Sequence, residues 1–341
     1  MLSVGPLGNR LTSQLNISMA DGGDDIFVYL GGDQEVPDGV THAIIDPSVK
    51  FVRMRAFYNR RQLVSVIFHD GLEIIEFEAF CGCSSLPRIK LPGVKKIGDN
   101  AFANCSALSD VEFGDRLYTI EPRAFYGCRP LRSIKMASVR NINAWAFGCC
   151  DDLNDVEFGI NLVSIGVGSF VNCRHLQCIT IPLKGNLFSI STLERYDQFD
   201  GCGNLATVDI VGAEGIHKTI SSLLIVSWKD EMNEEIGRIN RELPNTPADE
   251  KTDLIRLWIS SVINRLEHYK AEHSRLLKEH MTQLELAIWT AKLDEKEEDS
   301  NQKVEVKRAK IDLGNARKEK RITSGADIII KNVLPFLQLK E

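Results

Sequence analysis

The sequence is short of the features that mark membrane-spanning proteins, secreted proteins and the common enzyme families. It has no run of about 18 apolar residues, which a transmembrane helix requires. Its first 20 residues contain no continuous apolar stretch of the kind that a secretory signal needs. It also contains no P-loop, GxSxG, HExxH or CxxC motif. We therefore expect no membrane segment, no cofactor, no metal site and no catalytic machinery.

No charge of either sign dominates the chain. The 41 basic and 47 acidic residues leave a net charge of -6, which gives no sign of binding to nucleic acid or to an anionic membrane. The nine cysteines are an odd number, so they do not all pair within one chain. Free thiols in a reducing compartment are the simplest interpretation, and we expect a cytoplasmic or nuclear protein.

A repeat of 22 or 23 residues is the strongest feature of the sequence, and only its last interval, of 29 residues, is longer. Three residues after each repeated phenylalanine stands a cysteine, with Arg60 in its place in the first copy, and six residues after it stands a leucine. The phenylalanines are Phe57, Phe80, Phe102, Phe125, Phe147, Phe170 and Phe199. Positions that stay in register over seven copies predict a repeat architecture.

Each repeat also contains two apolar residues with one residue between them, as in Ile89 and Leu91. This alternation has the period of a half-buried β-strand. One strand per repeat, with leucines at fixed offsets, predicts a leucine-rich-repeat solenoid of parallel β coils with short helical turns. A single coil cannot bury its apolar side chains alone, so we expect the phenylalanines of successive coils to stack in one core.

The repeat resembles the BspA-like type of leucine-rich repeat. The unit SLPRIKLPGVKKIGDNAFANC carries the likeness, because Gly98, Ala101 and Phe102 match the IGxxAFxxC segment of that family. The resemblance covers residues 40–211, and it implies a solenoid with a role in recognition or adhesion and no enzyme activity. From about residue 216 the chain resembles the helical C-terminal region of an expanded microbial-eukaryote group. The segments LPNTPADEKTD, EHYKAEHSRLLKE and SGADIIIKNVLPFL carry that second likeness, which implies no further function.

Changes of pattern along the chain predict five segments. They are a disordered N-terminus at 1–24, the solenoid with an N-terminal cap at 25–215, a helical hairpin or coiled coil at 216–298, a charged linker at 299–321 and a docking helix at 322–341. We expect the cap to begin with a short strand at Asp25–Leu30, which lies between two pairs of glycines.

Two helices are predicted in the helical region. The first spans residues 218–243, and the second runs from a capping box at Thr246–Asp249 to Leu293. An apolar seam with steps of four and three residues follows the second helix from Ile255 and shifts by one residue at Leu277. Two interpretations are open. The first helix packs against the first half of the second in a hairpin, or the second half self-associates as a coiled coil.

The outward-facing positions of the predicted strands form the candidate binding surface. We call its members the strand-face residues: Arg88, Lys90, Asp110, Glu112, Lys135, Asp155 and Glu157. One interpretation is an internal charge ladder that keeps the exposed sheet soluble and in register. The other is a polar surface that binds a protein partner. Because the signs alternate, the surface offers no continuous track for phosphates, and nucleic acid is not the expected partner.

Two further features have a functional and an ordinary interpretation. The cysteines at the repeat period could hold metal, but their spacing follows the repeat and favours buried thiols that fill each turn. The basic segment 303–321 could contact nucleic acid or nuclear import factors, or be a solvated linker. The sequence therefore predicts a non-catalytic scaffold that binds a protein partner through the strand face, with a helical region that positions it or forms a homo-oligomer. A nuclear protein that acts through segment 303–321 is the alternative.

Overall fold

The computed structural model describes residues 26–189, 196–212 and 222–305. The predictions for residues 1–24 and 322–341 lie outside this part of the chain. By its internal contacts the chain divides into two compact units. The described residues of the first unit lie within 26–179, 186–205 and 247–252, and those of the second within 180–185, 206–246 and 253–305. The first unit is a solenoid of stacked coils, and the second contains two helices.

Two rows of parallel strands run through the coils. The short-strand row consists of β3 (Phe51–Val52), β5 (Ile74–Ile75), β7 (Lys96–Ile97), β9 (Thr119–Ile120), β11 (Asn141–Ile142) and β13 (Ser164–Ile165). These six strands form one continuous parallel sheet, in which each coil pairs with the next. The buried second residue of each strand makes an apolar column on the inner side.

The long-strand row contains the predicted strands with alternating burial. It consists of β1 (Ile26–Tyr29), β2 (His42–Ile45), β4 (Ser65–Ile67), β6 (Arg88–Leu91), β8 (Asp110–Phe113), β10 (Ser133–Met136), β12 (Asp155–Phe158), β14 (Cys178–Pro182) and β15 (Thr207–Val211). The pairs β1·β2, β2·β4, β6·β8 and β10·β12 are parallel. The first strand, β1, confirms the cap strand predicted at Asp25–Leu30.

The repeated phenylalanines form a single stack through the core of the solenoid. All seven are fully buried. Ring centroids of neighbouring coils lie 4.7 Å apart at Phe57–Phe80, 5.2 Å at Phe80–Phe102 and 5.3 Å at Phe102–Phe125, with nearly parallel planes. Stacked aromatic pairs contribute about 0.5–1.5 kcal/mol beyond the burial of their surface. The prediction that these side chains line up in adjacent layers is confirmed.

A ladder of buried thiols accompanies the phenylalanine stack. Each repeat cysteine donates its S–H to the phenylalanine carbonyl of the preceding coil, as Cys105 does to Phe80 at 3.2 Å. The other donors are Cys83, Cys128, Cys150, Cys173 and Cys202, at 3.0–3.3 Å. All six side chains are fully buried. The interpretation of these cysteines as buried thiols that fill each turn is confirmed.

The turns after the short strands contain overlapping backbone hydrogen bonds from a residue to the third one before it, as in Tyr58 N–H to Arg55 and Arg60 N–H to Phe57. The N–H groups between them, as at Phe57, bind the next coil instead, so these segments are hydrogen-bonded turns and not the short helical turns that the repeat predicts. One turn position has positive φ in every coil and carries asparagine or glycine in most of them. At Gly127, with φ of +74°, an added Cβ would lie 2.7 Å from Oδ1 of Asn104 in the preceding coil, so a side chain there would have to displace that amide.

A proline interrupts the long-strand row between β4 and β6, which belong to different sheets. The residue after each repeat leucine normally donates its N–H to the preceding coil, as Val64 does to Thr41 at 2.8 Å and Ser109 does to Pro87 at 2.9 Å. Pro87 occupies this donor position at the start of β6, and proline has no N–H to donate. We call this interruption the first break.

A second break separates β8 from β10, which also lie in different sheets. Here Pro130 stands one residue before the repeat leucine Leu131. In the following coil the residue at that position, Asp152, donates its N–H to Arg129 at 2.9 Å. Pro130 has no N–H with which to make this bond.

Polar side chains complete the two ends of the solenoid. In the first coil Arg60 takes the place of cysteine, and its guanidinium donates to the Val36 carbonyl from Nε at 2.9 Å and from Nη2 at 2.6 Å. At the last coil the repeat N–H of Phe199 has no further coil to bind. The Thr252 hydroxyl accepts it at 3.2 Å instead.

Lys251 closes the last coil in the same way. Its Nζ donates to the carbonyls of Gly203 at 2.7 Å and Leu205 at 2.6 Å, and its side chain is fully buried. Burial lowers the pKa of Lys251 below its ordinary value. The lysine thus supplies hydrogen-bond donors that the missing next coil would otherwise provide.

In the second unit a helix at Ser222–Glu242 continues into a 3-10 turn at Leu243–Asn245, and a long helix follows at Lys251–Glu305. The two helices pack as a hairpin along the first half of the long helix. Trp258 Nε1 donates to the Glu235 carbonyl at 3.1 Å. Arg265 forms an ion pair with Glu235 at 3.0 Å, and the Tyr269 hydroxyl donates to Glu231 at 2.5 Å. The hairpin interpretation is confirmed for this half.

The long helix differs from its prediction at both ends. It begins at Lys251, because residues 247–250 form a turn in which Glu250 N–H binds the Pro247 carbonyl. It continues past Leu293 to Glu305, so the first residues assigned to the charged linker are helical. That stretch contains neither proline nor glycine, and glutamate, lysine and glutamine are good helix formers in spite of their charge or polarity.

Candidate partner-binding face

The strand-face residues lie together on the outer side of the long-strand row. In β6 and β8, Arg88 is directly opposite Asp110 and Lys90 is directly opposite Glu112. All four are exposed, while the residues between them point into the core. The alternation of burial therefore places these charges where the sequence predicted them.

The same arrangement recurs across β10 and β12. Lys135 lies opposite Glu157, and Asp155 lies opposite Ser133. Lys135 and Glu157 are exposed and Asp155 is half-buried. All seven strand-face residues thus occupy four strands of one surface.

Two ion pairs neutralise much of this surface. Lys90 Nζ lies 2.6 Å from Glu112 Oε2, and Lys135 Nζ lies 2.7 Å from Glu157 Oε2. The hydrogen bond to glutamate raises the pKa of each lysine above its ordinary value. Because the second break falls between Glu112 and Lys135, the predicted charge ladder consists of two separate pairs. Exposed pairs of this kind contribute little to affinity and more to orientation.

A cavity of about 690 Å³ opens on the strand face at the first break. Its lining includes the half-buried Ile67 and the buried Phe68 of the β4 coil together with the buried Ile89 and Leu91 of β6. Three strand-face residues also line it: Arg88, Lys90 and Glu112. The cavity therefore combines apolar side chains with charged ones on the predicted surface.

Sequence reasoning identified the charged residues of this cavity but missed the cavity itself. One signal was present, because Ile67 occupies the outward position that holds Lys90 and Glu112 in the next coils. A second was Pro87, which stands where the neighbouring coils carry an N–H donor. An apolar outward residue beside a strand-breaking proline marks the place where the row opens.

Other candidate sites have little support in the described residues. Within residues 26–189, 196–212 and 222–305, no group of three or more histidine, cysteine and acidic side chains is placed to hold a metal ion. No helix in this part of the chain has the length and apolar content of a bilayer span. Of the basic segment 303–321, residues 303–305 end the long helix, and residues 306–321 lie outside the described part.

Stacked coils that pair through parallel strands, built on buried columns of leucine and phenylalanine, define the class of leucine-rich-repeat solenoids. The chain belongs to the BspA type of this class. The family described as BspA type leucine rich repeat region, in six copies, matches residues 50–177 and 95–221. Together these ranges cover residues 50–221 of the 341.

Several solved structures are similar to this chain. A leucine-rich repeat protein from Bacteroides ovatus is 22% identical with a TM-score of 0.36, and the match covers 55% of this chain and 63% of that one. The T. pallidum leucine rich repeat protein is 28% identical with a TM-score of 0.36, covering 49% and 80%. One from Eubacterium ventriosum is 23% identical with a TM-score of 0.40, covering 51% and 43%. The chain thus spans less than two thirds of the Bacteroides ovatus protein.

The comparison with curated proteins found no match. Leucine-rich-repeat proteins generally mediate protein–protein interactions, and scaffolds of this family are typically non-catalytic. The likeness of the region beyond residue 216 to a microbial-eukaryote group stays a prediction.

Proposed function

We propose that this chain is an intracellular, non-catalytic scaffold that binds a protein partner through the strand face, while its helical region positions the solenoid or self-associates. The cavity at the first break carries this proposal. A recess with apolar walls and charged neighbours is the arrangement in which protein interfaces bury an anchoring side chain.

The dimensions and the chemistry of the cavity suit such an anchor. Its volume of about 690 Å³ falls within the range of about 300–1,000 Å³ that binding pockets occupy. Ile67 and Phe68 offer apolar contact, and Lys90 and Glu112 stand beside them as an already formed ion pair. A partner that inserts an apolar side chain there removes that side chain from water. The polar groups beside the inserted side chain can then interact with the positive charge of Lys90 or the negative charge of Glu112.

The thiols support an intracellular location. No cysteine forms a disulfide among the residues that the structure describes, and six of the nine are buried hydrogen-bond donors in the core. Cysteines that persist as thiols are typical of reducing compartments. The cytoplasm or the nucleus is accordingly part of the proposal, and imaging of the tagged full-length chain in its native cell tests it.

The strand face is tested in two stages. Proximity labelling with the full chain in its native cell supplies candidate partners, and purified candidates are then titrated against variants. Ile67→Lys places a charge in the cavity. Val163→Lys makes the same change at an exposed valine that does not line the cavity, and it serves as the matched control. Circular dichroism of each variant confirms that the fold is retained.

We expect Ile67→Lys to weaken partner binding by roughly a hundredfold or more, because a buried anchor would have to share its pocket with a charge. The Val163→Lys control should bind like the wild type. A fourfold reversal at Lys90, Glu112, Lys135 and Glu157 tests the polar surroundings. Unchanged binding by both Ile67→Lys and the reversal variant would show that the partner uses another surface.

A further inference from the structure

The second half of the long helix carries an apolar seam that is exposed among the described residues. Leu277, Met281 and Ile288 are 41%, 49% and 42% exposed. In the first half of the same helix, the hairpin keeps Ile255 and Ile259 at 2% exposure or less. The hairpin therefore accounts for one half of the apolar helix surface and leaves the other half without cover in the described part of the chain.

The spacing of the exposed seam is that of a coiled coil. Leu277, Met281, Leu284 and Ile288 follow one another at steps of four, three and four residues, and Leu284 is half-buried. Residues at these steps fall on one stripe of a helix. A single helix in water is only marginally stable, whereas a second helix on this stripe would bury all four side chains.

Two charged residues beside the seam indicate which helix covers it. Lys278 and Glu285 lie seven residues apart on the same flank of the seam, and both are exposed. Within the described residues neither forms an ion pair, although neighbouring charges on the helix do: Arg275 binds both Glu272 and Glu279. Lys278 and Glu285 are two turns apart and too distant to pair within one helix.

An antiparallel second copy satisfies both charges at once. If Met281 packs against Leu284 of the second copy, then Leu277 packs against the second copy's Ile288. On the flank, Lys278 then meets the second copy's Glu285, and twofold symmetry produces this pair twice. In a parallel pair Lys278 would instead approach the second copy's His273. Histidine carries no negative charge, so the attraction between Lys278 and a carboxylate would be lost.

We propose that residues 277–288 of the long helix bind the same segment of a second copy of this chain in an antiparallel coiled coil, held in register by two Lys278–Glu285 pairs. This deepens the proposed function, because it rests on the helical region as the self-associating part. It is independent of the strand face, since variants at Ile67 leave the helix unchanged and helix variants leave the cavity unchanged.

The test is sedimentation equilibrium of the full chain and its helix variants, with circular dichroism to confirm folding. Met281→Gln removes the central apolar contact and should raise the dimer dissociation constant by roughly a hundredfold, because both copies lose it. Leu286→Gln is the matched control, since Leu286 is exposed but lies off the seam. The control should dimerise like the wild type.

Charge exchange tests the direction of the helices. Lys278→Glu alone and Glu285→Lys alone should each weaken the dimer by roughly tenfold, because two attractive pairs become repulsive. The double exchange, or a mixture of the two single variants, should restore the association. A monomer at all concentrations, a dimer that withstands Met281→Gln, or a double exchange without recovery would overturn the proposal. Loss of the dimer with intact partner binding would leave the strand face as proposed.

Discussion

Raising the pH is expected to unfold the solenoid through its thiol ladder. Burial raises the pKa of Cys83, Cys128, Cys150 and Cys173 above the ordinary thiol value of 9.0. For Cys105 the adjacent Cys128 thiol raises the pKa most, and burial raises it further. A native thiol therefore keeps its proton at a pH at which the unfolded chain releases it. Stability is fully present below the ordinary thiol pKa and is lost as the pH rises above it.

The size of this effect is large enough to decide whether the protein stays folded. One unit above the ordinary pKa, at about pH 10, ionisation favours each unfolded thiol by about 1.4 kcal/mol. The four thiols with the strongest rise in pKa, those of Cys83, Cys105, Cys150 and Cys173, together amount to about 6 kcal/mol. The total stability of a domain is about 5–15 kcal/mol. Lys251 acts in the opposite direction, because burial lowers its pKa and the native chain loses this proton first. One opposing group does not offset several thiols.

Urea unfolding at a series of pH values, followed by circular dichroism with a reducing agent present, measures this dependence. The control is the double variant Cys105→Ala with Cys128→Ala, which removes two thiols of the ladder. Its stability at neutral pH will be lower, but its loss of stability per pH unit should be smaller than that of the wild type. An unchanged slope would refute the reasoning. So would ionisation of the ladder thiols near the ordinary thiol pKa while the fold persists.

Three further substitutions and one control test individual parts of the fold by urea unfolding. Phe102→Ala should lower the free energy of unfolding by about 3–5 kcal/mol, because it opens a cavity in a continuous stack. A loss of only a few tenths of a kcal/mol would contradict that stack. Gly127→Ala should cost about 1–3 kcal/mol through positive φ and the contact with Asn104. Gly39→Ala, where the nearest atom to an added Cβ is 3.9 Å away, should be nearly neutral by comparison. Lys251→Met should cost about 1–3 kcal/mol by leaving two carbonyls of the last coil without a donor, and equal stability would exclude its role as an end cap.

The repeat columns could be predicted from the sequence because each core position recurs with the same chemistry in every coil. Phe80 and Phe102 share an environment, so their spacing alone predicts their contact. The strand-face residues follow from the same periodicity, since alternation along a strand assigns each residue to one side of the sheet. Features that all coils share are those that a single sequence reveals.

Features that occur once were not predicted. The first break depends on Pro87, which matters only because its neighbours donate an N–H from that position. The C-terminal closure depends on Lys251 and Thr252, which are 46 or more residues distant in sequence from the atoms that they bind. No local pattern relates these residues to the last coil. The cavity shares this origin, because it results from an interruption of the repeat.

The two strand rows differ in a way that bears on how the solenoid responds to a bound partner. The short-strand row is continuous through six coils, whereas the long-strand row is interrupted at Pro87 and Pro130. The continuous row can act as a spine, about which the coils on either side of an interruption tilt without losing its hydrogen bonds. Conformational change on partner binding would then be concentrated beside the cavity, between β4 and β6. Amide hydrogen exchange in these two strands should be faster than in the short-strand row.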